Sequence, residues 1–198
     1  MGFLIEKCIR TPLNDSVLTK CAKFSCGDSD LDEFFNNDAI LYQYELMGKS
    51  YCFLEIDNPY CIVAAFTVSN ASIFTNHLPR TRKEKVGKAL HQPKRDMIYP
   101  AVLIGRLGVS SSYKGKGIGS ELLSFIKQWF VDPNNKTGCR FIIVDAYNTP
   151  ATIAFYESNG FALVFPTEEH EFKYRNLESS VLHTRLMFFD LIRVRTTD

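Results

Sequence analysis

The sequence predicts a single α/β or α+β domain, and three observations carry that reading. The chain has 198 residues, 45% hydrophobic and 23% charged, an ordinary soluble composition at a length that fits one large domain. β-rich and helical segments alternate along it. A glycine-rich turn near the middle joins a strand to an amphipathic helix. Sixteen Phe and nine Tyr supply bulky core, which excludes disorder, collagen and coiled coil as classes.

The elements follow in order. Phe3 to Arg10 mixes apolar and polar residues like an opening strand. Phe24 to Asp30 is a polar connection. Asp30 and Glu33 mark a helix start, and Leu31, Phe34, Phe35, Leu41, Tyr42 and Leu46 recur at helical spacing until Gly48 ends the run. Tyr51 to Ile56 and Cys61 to Val68 form a hairpin about Asp57-Asn58-Pro59. Leu78 to Leu90 reads as a basic helix and Ile98 to Val109 as a strand. Ile118, Leu122, Ile126 and Trp129 give an amphipathic helix, stopped by Pro133 and Asn134-Asn135. Cys139 to Ala146 is a buried strand. Thr149 is an N-cap with Pro150 at the first helical position, and Asn159-Gly160 is a left-handed C-cap. Phe161 to Phe165 and Val181 to Ile192 are strands, and Thr167 to Ser180 is a long polar excursion.

The apolar runs are too short to span a bilayer. Glu6 and Lys7 interrupt the first apolar stretch, so no export signal is expected. The six cysteines form no CxxC pair and read as reduced, partly buried thiols of a cytoplasmic protein. His77, His91, His170 and His183 lack metal-ligand spacing, so no metal is expected. The net charge of +1 hides a segregation. Between His77 and Arg95, seven cations (Arg80, Arg82, Lys83, Lys85, Lys88, Lys94, Arg95) face only Glu84, which leaves −5 on the rest of the chain. The segment reads either as a solvated face or as the surface for a polyanion.

Lys114-Gly115-Lys116-Gly117-Ile118-Gly119 lies where a strand hands over to a helix. Glycines there permit a tight turn and close approach to the backbone. The unbonded N–H groups of the new helix and the two lysines favour an anion. A phosphate or pyrophosphate is the natural guest, and a plain tight turn is the alternative. No Walker loop is present, and a dinucleotide fingerprint fails because Ser120 or Leu122 stands where its last glycine is needed.

The run Leu103 to Leu123, with Gly105-Arg106-Leu107-Gly108-Val109 ahead of the glycine-rich turn, resembles the central motif of the GNAT superfamily of N-acetyltransferases. Asn148-Thr149-Pro150-Ala151 through Tyr156 to Asn159-Gly160-Phe161 resembles that family's second motif. Lys114 departs from the pattern, which has Arg or Gln there. The resemblance implies one domain over residues 1–198, with a cofactor core near 98–165 and acceptor-side elements near 24–95. It implies a central mixed, mostly antiparallel, twisted sheet flanked by helices, with strands splayed at an acetyl-CoA site. The pyrophosphate of acetyl-CoA would rest on Lys114, Gly115, Lys116, Gly117, Ile118, Gly119 and Ser120. Its pantetheine would bond the backbone of Leu107, Gly108 and Val109, with Asn148 contacting it from the second motif or merely capping a helix.

The implied reaction is direct attack of a primary amine on the thioester, with Tyr156 as general acid or, alternatively, as a core aromatic. Many relatives carry a Glu on the central strand, and Arg106 occupies that neighbourhood here. Asp145 and Glu55 are carboxylates near expected strands that either act through water or are structural, and the amine can also arrive already neutral. The front pattern Phe24-x-Cys26-Gly27-x-x-x-Leu31-x-x-Phe34 resembles the toxin-type branch, which acetylates aminoacyl-tRNA and pairs with a ribbon-helix-helix antitoxin. A small-molecule or protein amine acceptor, and a non-catalytic CoA-binding regulatory module, are the alternatives. A homodimer is the assembly the resemblance suggests.

Overall fold

A computed structural model describes residues 2–75, 78, 80, 83–84, 98–175 and 181–195. Its strands β1 (Cys8–Pro12), β2 (Lys49–Glu55), β3 (Ile62–Phe74), β4 (Ile98–Val109), β5 (Phe141–Tyr147), β6 (Ala162–Leu163) and β7 (Thr184–Asp190) form a sheet in the order β1-β2-β3-β4-β5-β7-β6. The Leu78 to Leu90 helix and most of the basic segment lie outside the described residues. Packing divides the chain into two units, Met1–Ser69 with Ile104–Ile126, and Asn70–Leu103 with Lys127–Asp198. The division cuts β3 (Ile62–Phe74), β4 (Ile98–Val109) and the helix α5 (Ile118–Val131). It does not fall between acceptor-side and cofactor segments.

In the first unit the chain opens with a helix, α1 (Phe3–Lys7), before β1 (Cys8–Pro12). The expected strand therefore starts five residues late. The cause is distant in sequence: the Glu121 carboxylate accepts the N–H groups of Leu4 at 2.7 Å and Ile5 at 3.2 Å, satisfying the donors a helix start leaves open. A short helix that the pattern did not suggest, α2 (Asp15–Lys20), is capped by the Asn14 side chain, which accepts from Val17 N at 3.0 Å. The next helix, α3 (Ser29–Glu33), is capped by Asp28 instead of Asp30. It continues through a π-turn, Phe34–Asp38, into α4 (Ala39–Tyr44). The extra residue of that turn lets Phe34 and Phe35 both enter the core. The run ends at Leu46 (φ 60°), not at Gly48, and Leu46 is 91% exposed. Helical spacing alone had placed it inside.

β2 (Lys49–Glu55) pairs antiparallel with β1 and with β3, so the hairpin stands as read, with a register shift at Phe53/Leu54. β4 and the start of α5 also match the sequence reading, and Ile118, Leu122 and Ile126 are all buried. Phe24, Cys26, Phe34, Phe35, Cys52 and Ala65 share one cluster.

In the second unit β5 (Phe141–Tyr147) pairs antiparallel with β7 (Thr184–Asp190), Ile143 opposite Phe188. β6 keeps only Ala162–Leu163 of the expected five residues. α6 (Pro150–Ser158) lies between β5 and β6 in sequence. The polar excursion is not a loop: it holds α7 (Glu168–Arg175). Its Glu171 is 0% exposed and accepts from Leu186 N (2.6 Å), Arg185 Nε (2.8 Å) and Arg175 (2.9 Å). Composition made the segment look solvated, but this ion network ties it to β7. The six cysteines are free, with Cys8, Cys26 and Cys52 buried. No helix among the described residues is long and apolar enough to cross a membrane.

Candidate functional site

The glycine-rich turn follows a three-ten turn, Ser111–Tyr113. Gly115 and Gly117 both take left-handed backbone (φ 74° and 77°), and a Cβ added at either would meet nothing within 4 Å. The space above the loop is open. Lys114 and Lys116 are exposed on it, and α5 begins at Ile118. The first-turn N–H groups of Ile118 and Gly119 precede any i−4 carbonyl of the helix. This is the cradle an anion needs, and the residues fit a pyrophosphate.

Tyr113, which sequence reading did not single out, anchors the loop. Its hydroxyl donates to Glu55 Oε2 at 2.7 Å. Its ring lies 5.7 Å from Phe3 and carries the Lys116 ammonium at 5.1 Å. Burial first, then the Glu55 carboxylate, push the Tyr113 phenol above its ordinary value. No local signal marks this role, because Glu55 lies 58 residues away.

A valine at Gly117 tests the cradle. Left-handed backbone costs a residue with a Cβ roughly 1–2 kcal/mol, and the branched side chain enters the open space. Gly117→Val is expected to weaken CoA binding at least tenfold by calorimetry, and an unchanged affinity would take the loop out of the site.

Upstream, Leu107 and Val109 are half-buried on β4, and Gly108 is buried between them. A Cβ at Gly108 would press on the Phe24 ring at 3.1 Å, so glycine is required there by packing.

Tyr156 and Asn148 stand in the second unit. Tyr156 occupies the third-last position of α6. Thr149 caps the helix start by accepting from Thr152 N at 3.2 Å. Gly160 (φ 81°) closes the end, with Gly160 N donating to Glu157 O (2.8 Å) and Phe161 N to Tyr156 O (3.0 Å). That bond pair is a Schellman motif, and its usual apolar contact is the edge-on packing of Tyr156 against Phe161 at 5.4 Å. The Asn-Gly-Phe sequence thereby sets where the Tyr156 ring lies. Burial pushes its phenol up to about 12, and its hydroxyl has no hydrogen-bond partner among the described residues.

A buried lysine supports the same helix end. Lys127, 7% exposed, donates to Asn159 O at 2.6 Å and sits 4.2 Å from the Phe189 ring centre. Arg193 donates to the adjacent Gly160 O at 3.1 Å. Two cations thus meet the negative end of the α6 dipole. Burial, then Arg193, lowers Lys127 to about 8. With its folded value below its unfolded one, the folded protein binds fewer protons between about pH 8 and 10.5, so stability from this group rises with pH there. Relative to Lys127→Met, the wild type is expected to gain roughly 2 kcal/mol between pH 7 and pH 10. Urea unfolding at both pH values checks it; a constant difference would contradict it.

The Asn148 side chain neither caps α6 nor stands free. Its amide donates to Glu168 and to Leu182 O, both at 2.9 Å. The two carboxylates considered as bases are engaged as well: Asp145 pairs with Arg175 at 2.6 Å and Glu55 accepts from Tyr113. No group of three His, Cys, Asp or Glu among the described residues is placed to hold a metal.

Residues 80–163 match the family model described as an acetyltransferase (GNAT) domain. Among solved structures, AtaT complexed with acetyl-methionyl-tRNAfMet is 17% identical over 94% of this chain and 96% of its own, with a TM-score of 0.68. A KacT variant is 18% identical over 96% and 98%, also at 0.68. AtaTR bound with AcCoA is 17% identical over 96% of each, at 0.64. At these identities the likeness is one of fold.

Proposed function

We propose, for a chain whose residues 80–163 match the acetyltransferase (GNAT) domain model, an acetyl-CoA-dependent N-acetyltransferase whose acceptor is the α-amine of an aminoacyl group carried on tRNA. One observation carries the cofactor: the open loop of left-handed glycines at the head of α5, flanked by Lys114 and Lys116. When bound, acetyl-CoA supplies an acyl carbon activated by a thiol leaving group.

The loop backbone and its lysines would hold the pyrophosphate, and the β4 backbone at Leu107, Gly108 and Val109 the arm. By the resemblance Tyr156, with its phenol near 12 and so protonated at neutral pH, would be the proton donor to the leaving sulfur. Asn148 would approach the cofactor through its remaining carbonyl oxygen.

The choice of amine follows from acid–base chemistry. Arg106 occupies the neighbourhood on β4 where many relatives of the resembled family carry a Glu, and Asp145 and Glu55 are engaged. With both of these carboxylates engaged among the described residues, an amine that is already partly neutral is the better-suited acceptor. An α-amine titrates near 7.7–8.0, a lysine-type amine near 10.4. At pH 7.5 roughly a third of the first is neutral, against about a thousandth of the second. The end-to-end likeness to AtaT in complex with an acetylated aminoacyl-tRNA supports tRNA as the carrier. An antitoxin of the ribbon-helix-helix type is the partner this reading implies.

The test is acetyl transfer from acetyl-CoA to charged tRNAs, run beside polyamines, free amino acids and peptides. Transfer to polyamines or peptides with none to charged tRNA would refute the acceptor while leaving the enzyme class standing. tRNA binding should also fall steeply with salt.

A further inference from the structure

Arg106 carries a charge that nothing among the described residues balances. Its guanidinium lies over the Phe34 ring at 5.0 Å, and one terminal nitrogen donates to the Gly105 carbonyl at 3.0 Å. Its Nε is buried without a hydrogen-bond partner. Arg140 Nε also lacks a hydrogen bond, but it lies 2.8 Å from an Asp190 carboxylate oxygen. Arg106 has no such carboxylate among the described residues. A guanidinium presents five N–H donors in a planar fork, and leaving buried donors of a charged group without acceptors is costly. The fold therefore leaves at least the Nε donor of this charged group without an acceptor among the described residues.

The surroundings say which ligand. Side chains alternate along a strand, so Arg106 and Gly108 share one face of β4. On that face a Cβ at Gly108 would meet Phe24 at 3.1 Å and Cys26 Sγ at 3.4 Å. The segment from Phe24 to Phe34 therefore walls it, and this segment belongs to the front half expected on the acceptor side. Those walls are fixed. Asn36 holds both Phe24 N (2.9 Å) and Phe24 O (2.8 Å), and Asp32 holds Cys26 N at 2.6 Å. Phe34 carries the guanidinium at 5.0 Å from its ring centre, and one terminal nitrogen is spent on the Gly105 carbonyl, which leaves part of the fork for a ligand.

We propose that Arg106 binds the oxygen of the carbonyl or carboxylate next to the acceptor amine, so that the site recognises an α-aminoacyl group and not an amine alone. The assignment rests on the N-acetyltransferase reading of this site. The planar fork matches a carbonyl or carboxylate oxygen by charge-assisted hydrogen bonds. A fixed cation beside the amine also disfavours the ammonium form, so it raises the neutral fraction of the nucleophile. One residue thus selects the acceptor and does part of what a base would do.

Three acceptors separate the possibilities. Alaninamide has the acyl carbonyl, alanine has a free carboxylate, and ethylamine has neither. In R106Q the KM for alaninamide is expected to rise at least tenfold, and the loss on ethylamine to be at least tenfold smaller than that on alaninamide. The dissociation constant of CoA should stay within about twofold. R106K keeps the charge without the fork and should fall between. The rising limb of the pH–rate profile should move to higher pH in R106Q. Equal losses on alaninamide and ethylamine would overturn the proposal.

A second measurement needs no turnover. The arginine Nε resonance that disappears from the nitrogen-15 spectrum of R106K belongs to Arg106. In the wild type it should shift on adding alaninamide or alanine and stay in place with ethylamine. The stronger response names the source, acyl carbonyl or free carboxylate. A shift with all three, or with none, refutes the role of Arg106. A selective shift in a protein that acetylates no amine would instead refute the catalytic reading and leave the binding site.

Discussion

Replacing Tyr156 with phenylalanine is expected to lower kcat by roughly tenfold or more while leaving CoA affinity and stability nearly unchanged. The hydroxyl has no hydrogen-bond partner among the described residues, so none of the described bonds is lost. The ring remains, and with it the edge-on contact to Phe161 at 5.4 Å that completes the C-terminal motif of α6. What disappears is a proton held at about 12. An ordinary thiol titrates near 8.5, so full transfer from this phenol to a thiolate runs uphill. On the proposed reading its contribution would be donation as the carbon–sulfur bond breaks, which would show in kcat and not in ground-state binding. A group near 12 is protonated throughout the neutral range, so the pH–rate profile of the wild type should carry no Tyr156 limb below about pH 10. Steady-state kinetics and a thermal melt of both proteins decide the matter. Full turnover in the variant would remove Tyr156 from the chemistry.

Glu171→Ala is expected to destabilise the second unit by about 3–5 kcal/mol. Its carboxylate is wholly buried and holds Arg185, Arg175 and the Leu186 N–H together. Truncation leaves Arg185, itself 7% exposed, without that partner, and it orphans a backbone donor. Glu171→Gln keeps an acceptor for Leu186 and should lose distinctly less. The single tryptophan, Trp129, lies in this unit, so its fluorescence in urea follows the transition. A loss below about 1 kcal/mol for Glu171→Ala would show that the network is solvated enough to dispense with it.

The functional features were unevenly legible. The loop was readable because it is local: Gly115 and Gly117 need φ values that only glycine takes cheaply, and a helix begins beside them. The place of Tyr156 on α6, though not its role, was readable for the same reason, since Thr149-Pro150 and Asn159-Gly160 bracket the helix within a dozen residues. The opening strand, the caps of α2 and α3, and the burial of Leu46 were misjudged or missed. In the first case the deciding group, Glu121, is more than a hundred residues away.

The chain by itself determined where backbone conformation is forced, namely the glycine turn, the hairpin at Asp57-Asn58-Pro59 and both ends of α6, because those choices rest on dihedral limits and neighbouring donors. Only tertiary structure decided which charges are spent and which are free. Asp145 and Arg175 neutralise each other, Glu55 is taken by Tyr113, and Glu171 is sunk into the second unit. Arg106 is left over the Phe34 ring with a buried nitrogen unsatisfied. Charge pairing depends on distances between residues far apart in sequence, and composition, which sums to +1, carries no record of them.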